Sequence, residues 1–411
     1  MSSKVLLVFC DGTGMDGNLA GKHCTDVPQF SLYADRFLLI PEGDVGSGIR
    51  HVSNVLRLSR AVKQFTSDGR NQVVFYQSGV GSETDFQGNP VLGRMGALMQ
   101  QYTNRTLRCS ASKIGDVYAF IAQNFEPKDD ICIFGVAYTA RVVADLIDQI
   151  GLLCLENLGH FFSIWRQLLD GKEPTIPEGT RWTPIKCVGV WDTICSVPKD
   201  RNAARSRNTD LPASVDIALH ALSLHENRDK FRPKLWTVPK HGLAPRGMDG
   251  KQVWFPGAHS DVGGGYERHE LADISLFWMA GEVCDFINLD LEFIQRSAQR
   301  SPEPWGKSQP HNAWKEAPWH FKRFIHSETR LQSHDIKQDA LFHSSVLVSP
   351  TTVRKAQNMI TSKTLRKRFG ERWKPRIVEL NSFEKRCKTD WEEPPVSAFV
   401  WSRVLAYMHI C

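Results

Sequence analysis

The chain has 411 residues, 41% of them apolar, which is enough to bury a substantial core in one large domain. Lysine and arginine number 51 against 45 acidic residues, a formal net charge of +6. That excess is mild for this length and does not indicate nucleic acid as a partner. No apolar run approaches the roughly 18 residues that cross a bilayer, and the N-terminal apolar run is too short for a signal peptide. We therefore expect a cytoplasmic protein without a transmembrane segment.

Ten cysteines are scattered along the chain, with neither a C-x-x-C pair nor the Cys/His spacing of a zinc site. Several of them, such as Cys10, Cys132 and Cys187, end or interrupt apolar runs. We interpret them as buried free thiols in a reducing compartment. We predict no cofactor.

The first elements alternate between apolar strands and helical patterns. Residues 5–9 predict a buried strand, and the polar turn at 10–14 follows it. Residues 52–65 predict a helix with Ser53 as its N-cap. Residues 73–76 predict the second strand, which again ends in a polar, Gly-containing loop.

The stretch 131–141 has the strand–turn–helix pattern of a nucleophile elbow. An apolar run at 131–134 ends in Gly135, and a helical pattern begins at once and continues to residue 153. Such an elbow normally carries a serine with glycine two places before and two places after it, and no serine in this chain has those neighbours. The nucleophile is therefore missing near Gly135, Val136 and Ala137.

Later segments continue the alternation up to about residue 290, after which periodicity is weak. Further strands are predicted at 185–191 and 253–255, and further helices at 112–124, 161–169, 215–224, 271–286 and 353–369. The helix at 271–286 is predicted to be amphipathic, with Glu270 and Asp273 at its positive end. We divide the chain into an α/β-hydrolase-like domain at 1–290 and a partly helical C-terminal extension at 291–411.

This order of elements predicts an α/β fold with a mostly parallel sheet and helices on both faces. Ligands bind at the carboxyl ends of the strands in such sheets. Asp192 and His259 each follow a predicted strand, and together with the elbow they fit the order nucleophile, acid, histidine. His259 would act as general base and then general acid, while Asp192 would hold its tautomer.

The turn after the first strand is a second part of the candidate site. Asp11, Gly12 and Thr13 form a substrate or oxyanion loop, in which backbone N–H groups of Gly12 and Thr13 would donate to an oxyanion. A metal-dependent alternative uses Asp11, Asp192, His259 and Asp261 as ligands.

Long motifs in this sequence resemble those of α/β-hydrolases related to type VI secretion phospholipase effectors. The resemblance covers residues 4–290, and its main segments are residues 9–13, 76–81, 189–193 and 254–265. It implies hydrolysis of esters or phospholipid esters by a Ser-Asp-His triad. Asp192 and His259 match the acid and base positions of that family. The implied partner is an ester or lipid-like small molecule.

The departure from the family lies at the elbow. The family reads Phe-Gly-Phe-Ser-Arg-Gly-Ala-Tyr-Thr-Ala-Arg, whereas residues 134–141 read Phe-Gly-Val-Ala-Tyr-Thr-Ala-Arg. A gap of three residues removes the nucleophile and shortens the turn that supplies the oxyanion amide.

Three explanations of this gap stay open at this point. The chain is a degenerate hydrolase kept for lipid or acyl binding or for assembly, or its sequence is incomplete, for example at a misplaced splice junction, or it catalyses by another route. Under the first explanation, the Trp-rich region after residue 300 is a candidate partner or lid surface.

Overall fold

The computed structural model describes residues 3–12, 52–79, 98–136, 138–194, 210–237, 249–298, 303–317, 322, 325–350 and 359–392. Its strands are β1 (Val5–Cys10), β2 (Gln72–Gln77), β3 (Asp130–Gly135), β4 (Ile185–Trp191), β5 (Val215–Ser223), β6 (Asp249–Phe255), β7 (Leu341–His343) and β8 (Arg376–Val378). They form one eight-stranded sheet in the order β2-β1-β3-β4-β5-β6-β7-β8, and every neighbouring pair is parallel. The predicted α/β class with a mostly parallel sheet is confirmed.

Within the described residues, α-helices and two short 3₁₀ segments, Leu155–His160 and Ser344–Leu347, connect these strands. The α-helices are α1 (Asn54–Arg60), α2 (Leu98–Asn124), α3 (Thr139–Ile150), α4 (Phe161–Leu169), α5 (His259–Gly263), α6 (Glu270–Val283), α7 (Leu291–Arg296), α8 (Ala313–Glu316), α9 (Ser362–Phe369) and α10 (Ser382–Glu392). In the described part of the chain, no helix combines the length and apolar character needed to cross a membrane.

Both faces of the sheet are buried at its central strands β1, β3 and β4. Successive side chains of a strand point to opposite faces, so in β1 Leu7 and Phe9 join one core while Leu6 and Val8 join the other. The first core lies against α1 and α6, and the second lies against α2, α3 and α4. Two-sided burial explains why β1 has a continuous apolar run instead of an alternating one.

The prediction of a helix at 215–224 is wrong, because this segment is β5. Val215, Ala218, Leu219 and Leu222 lie three or four residues apart and imitate one face of a helix. In the structure the segment lies between β4 and β6, and both of its faces are buried. A central strand of this kind needs no alternation of apolar and polar residues, so periodicity alone misassigns it.

The helix predicted at 271–286 is present as α6, but it is not amphipathic. Its buried residues point in every direction around the axis, because the sheet, α1, α5 and α10 surround it. Asp273 in its first turn pairs with buried Arg57 of α1 at 2.6 Å. Ser53 caps α1 as predicted, since its side chain accepts from the Leu56 N–H, although α1 ends at Arg60 and not at residue 65.

The region after residue 290 contributes directly to the sheet. β7 pairs with β6, β8 pairs with β7, and α10 packs against α6. The buried side chain of His343 in β7 contacts Glu384 of α10 at 2.8 Å. A boundary at residue 290 stays a prediction, and any such boundary divides elements that share one sheet.

Gly189 in β4 offers a direct test of the packing between the sheet and α6. A Cβ at this position would lie 2.6 Å from Phe134 Cδ1 and 2.9 Å from Met279 Sδ. Gly189→Ala should therefore destabilise the protein by about 1–3 kcal/mol through overpacking, measured by urea denaturation. The control is Gly250→Ala in β6, where the nearest atom is Leu211 Cδ2 at 4.0 Å. Equal midpoints for the two variants would contradict the described packing.

Candidate active site

The predicted elbow is present as a strand–turn–helix unit at the carboxyl edge of the sheet. β3 ends at Gly135 and α3 begins at Thr139, while Ala137 between them lies outside the described residues. A Cβ on Gly135 would lie 2.9 Å from both the Cys10 carbonyl oxygen and Ala140 Cβ. Glycine is therefore required where the helix turns back over β1.

The shortened turn lies beside α5, the helix that carries His259. Val136 is buried, and its N–H donates to the Cys10 carbonyl oxygen at 3.3 Å. A Cβ built on Gly263 of α5 would lie 3.2 Å from Val136 Cγ2. The position of the gap and the helix of the candidate base are thus neighbours.

Asp192 follows β4 directly and is fully buried. Its φ of 36° lies in the left-handed region that residues with a Cβ rarely adopt. Its N–H donates to the Ala221 carbonyl oxygen of β5 at 2.7 Å, which holds this conformation. Strained backbone of this kind is concentrated at functional sites, where the surrounding structure over-determines it.

The structure joins the two residues that the sequence separates by 67 positions. His259 begins α5, is almost completely buried, and its Nδ1 lies 2.9 Å from Asp192 Oδ2. A carboxylate only accepts hydrogen bonds, so this contact requires a proton on Nδ1. Nε2 is then the basic nitrogen of the neutral ring, which is the arrangement of an acid–base pair in hydrolases.

Asp192 also accepts hydrogen bonds from β5 and from the region after residue 290. Ser223 donates its N–H to Oδ1 at 3.0 Å and its hydroxyl to Oδ2 at 2.7 Å. The Arg330 guanidinium donates to Oδ2 at 3.2 Å. Burial by itself would raise the pKa of Asp192, but Arg330 and the hydrogen bond from His259 hold that pKa far below its ordinary value.

A second buried ion pair supports His259 from the other side of the residue. Glu226 Oε2 accepts from the His259 N–H at 3.1 Å, and Glu226 pairs with Arg228 at 2.8 Å. The Arg228 guanidinium lies over the Phe231 ring, and that ring meets the His259 imidazole edge to face at 5.6 Å. The imidazole is therefore oriented by both polar and aromatic contacts.

The loop after β1 lies at the same edge of the sheet, and its carboxylate has partners of its own. Asp11 Oδ2 accepts from Ser53 Oγ at 2.7 Å and from the Tyr76 hydroxyl at 2.5 Å. Ser53 in turn pairs with Gly264, just after α5. The Gly12 N–H donates to Asp11 Oδ1 at 2.8 Å, so an oxyanion would compete with that carboxylate. Thr13 lies outside the described residues, and the oxyanion role stays a prediction.

The Asp261 carboxylate of α5 forms hydrogen bonds with residues outside the proposed metal-ligand set. Its carboxylate accepts from the Ala258 N–H at 2.8 Å and from the His311 N–H at 2.9 Å, and it lies 2.6 Å from His311 Nδ1. Over the residues that the structure describes, no group of three His, Cys, Asp or Glu side chains is arranged to hold a metal ion. The four residues of the metal-dependent alternative therefore do not form such a group.

The same stretch of chain that builds this geometry also matches a known family. The family model for the type VI secretion system phospholipase effector Tle1-like catalytic domain matches residues 4–282. The chain therefore belongs to the Tle1-like family. The matched segment of this Tle1-like chain contains the elbow, Asp192 and His259, and it ends within α6.

Individual relatives are distant. An uncharacterised protein of Saccharomyces cerevisiae is 26% identical over 224 residues, which is 47% of this chain and 32% of that protein, so the chain spans about a third of its relative's length. A Tle1 effector bound to the VgrG spike of the type VI secretion system has 15% identity and a TM-score of 0.34, over 65% of this chain and 52% of its own. An uncharacterised protein from Pseudomonas aeruginosa has 16% identity and a TM-score of 0.35, over 68% of this chain and 45% of its own.

Sequence reasoning missed the residues that surround the Asp192–His259 pair. Ser223 lies within the segment misassigned as a helix, although its place at the end of a strand is a usable signal once β5 is recognised. Glu226 and Arg228 follow β5 at the carboxyl edge of the sheet, so recognising β5 as a strand would also have indicated them. Arg330 and His311 lie in weakly periodic sequence, and no local pattern indicates them.

The buried carboxylate of Asp192 predicts a specific dependence of stability on pH. Asp192→Asn removes the nearer of the two carboxylates that face the buried Arg330 guanidinium and should lower the free energy of unfolding by about 3–5 kcal/mol at pH 7. The folded pKa is depressed, so the contribution of the carboxylate is present above the unfolded pKa of about 3.9 and is lost as the pH falls further.

Urea denaturation at several pH values measures the free energy of unfolding of the parent and of Asp192→Asn. The difference between parent and variant should be constant above about pH 5 and narrow below about pH 4. Asp170→Asn, at an exposed pair with Lys172, is the control and should stay close to the parent. A difference that does not narrow in acid would contradict the assigned ionisation.

His311 predicts the opposite pH dependence. Partial burial by itself lowers the pKa of His311, but the Asp261 carboxylate raises it to about 9. The stabilisation is then full below the unfolded pKa of about 6.5 and is lost as the pH rises through about 9. His311→Gln should be less stable than the parent at pH 6 and no less stable at pH 10, in thermal unfolding monitored by circular dichroism. An equal difference at both pH values would refute the ion pair.

Proposed function

We propose that this protein carries an ester-hydrolase site of the Ser-Asp-His type in which the acid and the base are assembled and the nucleophile is missing. The observation that carries the proposal is the 2.9 Å contact between His259 Nδ1 and the buried Asp192 carboxylate at the carboxyl edge of a parallel sheet. Two residues that are 67 positions apart meet in the arrangement that the acid and the base of a Ser-Asp-His triad have, which supports the proposal.

The roles of the two residues follow from their ionisation. Asp192 stays ionised, fixes the proton on Nδ1 and stabilises the imidazolium that forms when His259 accepts a proton at Nε2. His259 would take that proton from the nucleophile and later return it to the leaving alcohol. The elbow between β3 and α3 is the place where a serine would stand, next to the helix of His259.

The gap makes hydrolysis by the chain as written very slow. In subtilisin, loss of the nucleophile alone lowers kcat about a millionfold, and the remaining rate comes from binding and the oxyanion hole. The shortened turn also removes the amide after the nucleophile, which should donate to the oxyanion. We therefore expect an ester or lipid-like molecule to be a ligand of this chain and not a substrate that it turns over.

The substrate class comes from the family and is part of the proposal. The Tle1-like family is described as one of phospholipase effectors. A carboxylic ester or a phospholipid ester is the bond that an acid–base pair of this type, with a serine, would cleave.

The test compares the chain as written with a chain whose elbow is restored by replacing Val136 with Phe-Ser-Arg-Gly. The restored chain should hydrolyse p-nitrophenyl esters or phospholipid vesicles, whereas the chain as written should stay at the background rate. Ala in place of the new serine, and separately His259→Ala, should each remove the gained activity. His160→Ala, at an exposed position on the 3₁₀ segment before α4, is the matched control and should leave that activity unchanged.

Each other outcome has a distinct meaning. Activity of the chain as written that disappears in His259→Ala would show that another nucleophile is used and would overturn the missing-nucleophile proposal. No activity in the folded, restored chain would overturn the hydrolase site. A test for binding of fatty acid or phospholipid by the chain as written would then decide whether the protein is a binding module.

A further inference from the structure

Arg330 lies outside the segment matched by the family model, yet its guanidinium is buried against the candidate acid. Its side chain is 2% exposed. Nη2 donates to Asp192 Oδ2 and to Ser223 Oγ, each at 3.2 Å. Nε and Nη1 donate to the carbonyl oxygens of Ser223 and Phe231. These acceptors, together with the Asp335 carboxylate at 3.9 Å from Nη1, fix the guanidinium beside Asp192.

The geometry around Asp192 Oδ2 shows what this side chain can do. This oxygen accepts hydrogen bonds from Ser223 Oγ at 2.7 Å, from His259 Nδ1 at 2.9 Å and from Arg330 Nη2 at 3.2 Å. Oδ1 receives the Ser223 N–H at 3.0 Å. A rotation of the carboxylate would break several of these contacts at once, so Arg330 and Ser223 together fix the oxygen that faces His259.

Two buried ion pairs lie near His259, and Asp335 adds a second carboxylate at 3.9 Å from Arg330 Nη1. Glu226 and Arg228 pair at 2.8 Å, and Asp192 and Arg330 pair at 3.2 Å. Two further groups, Arg141 and His220, contact Thr193, the residue after Asp192. Without Arg330, the Asp192 charge would lose its balance, and a nearby carboxylate that is not neutralised favours the charged form of an imidazole.

We propose that Arg330 is a positioning residue that holds the Asp192 carboxylate toward His259 and keeps the imidazole neutral, and thus able to act as a base. The region after residue 290 then contributes a residue to the site of the Tle1-like domain, and is more than an appended extension. The kinetic part of this inference rests on the proposed function, whereas the titration of His259 does not.

The first experiment measures the titration of His259 by ¹⁵N NMR in the chain as written, with histidine labelling and with His259→Gln to assign the signal. Arg330→Gln keeps hydrogen-bond donors but carries no charge, and Arg330→Lys keeps the charge. The midpoint should rise by at least about one pH unit in Arg330→Gln and stay within about half a pH unit of the parent in Arg330→Lys. Lys172→Met, which loses only an exposed contact to Asp170 at 3.7 Å, is the control and should leave the midpoint unchanged.

A second measurement needs no neutral variant and covers the case in which Arg330→Gln does not fold. The side-chain ¹⁵N signal of Arg330, assigned by its loss in Arg330→Lys, should move with the same midpoint as His259, because both groups share one carboxylate. An Arg330 signal that does not change through the titration of His259 would overturn the proposal. So would a folded Arg330→Gln variant whose His259 titrates like the parent.

The elbow-restored chain gives the kinetic consequence. The acid limb of its kcat/KM profile should move to higher pH in Arg330→Gln, so that kcat/KM in acid falls about tenfold for each pH unit by which the His259 midpoint rises. If the restored chain is inactive while the NMR changes appear, the proposed function fails and the role of Arg330 stands. If the restored chain is active and Arg330→Gln changes neither the titration nor the profile, the role of Arg330 fails alone.

Discussion

A buried carboxylate is the constraint on which this site depends. Asp192 has no contact with solvent, and an isolated carboxylate in that position would be prohibitively costly. The cost is offset by donors from separate parts of the chain: Ser223 at the end of β5, His259 at the start of α5, and Arg330 after residue 290. The Asp192 carboxylate can therefore be buried only when all of these segments are folded together at the carboxyl edge of the sheet.

The sheet supplies the frame in which these groups can meet. All strands are parallel, so the loops after β3, β4 and β6 leave the same edge. Two glycines allow the close approaches that this edge needs. A Cβ on Gly257 would lie 2.4 Å from Asp261 Cβ, and a Cβ on Gly264 would lie 2.7 Å from the Asn54 nitrogen. Both also have positive φ, which glycine adopts without strain.

The turn between β3 and α3 and the Asp192–His259 pair are formed by different elements of the fold. β3 and α3 form on either side of the shortened turn, and Val136 packs beside Gly263. The acid–base pair depends on β4, β5 and α5, all of which follow that turn in the chain. The Asp192–His259 pair can therefore form whether or not the turn carries a nucleophile.

The sequence by itself determined the features that depend on neighbouring residues. Apolar runs predicted β1 to β4, Ser53 predicted the cap of α1, and the order of the elbow, Asp192 and His259 predicted the pairing, because strands, caps and motif order are set locally. Only the tertiary structure decided that 215–223 is a central strand and that α6 is buried all round, since burial depends on what packs against a segment. The tertiary structure alone also decided that Arg330 reaches Asp192 across 138 positions. Local periodicity cannot reveal this ion pair, because the Asp192 carboxylate that stabilises the buried Arg330 is brought beside it by the fold and not by the neighbouring sequence.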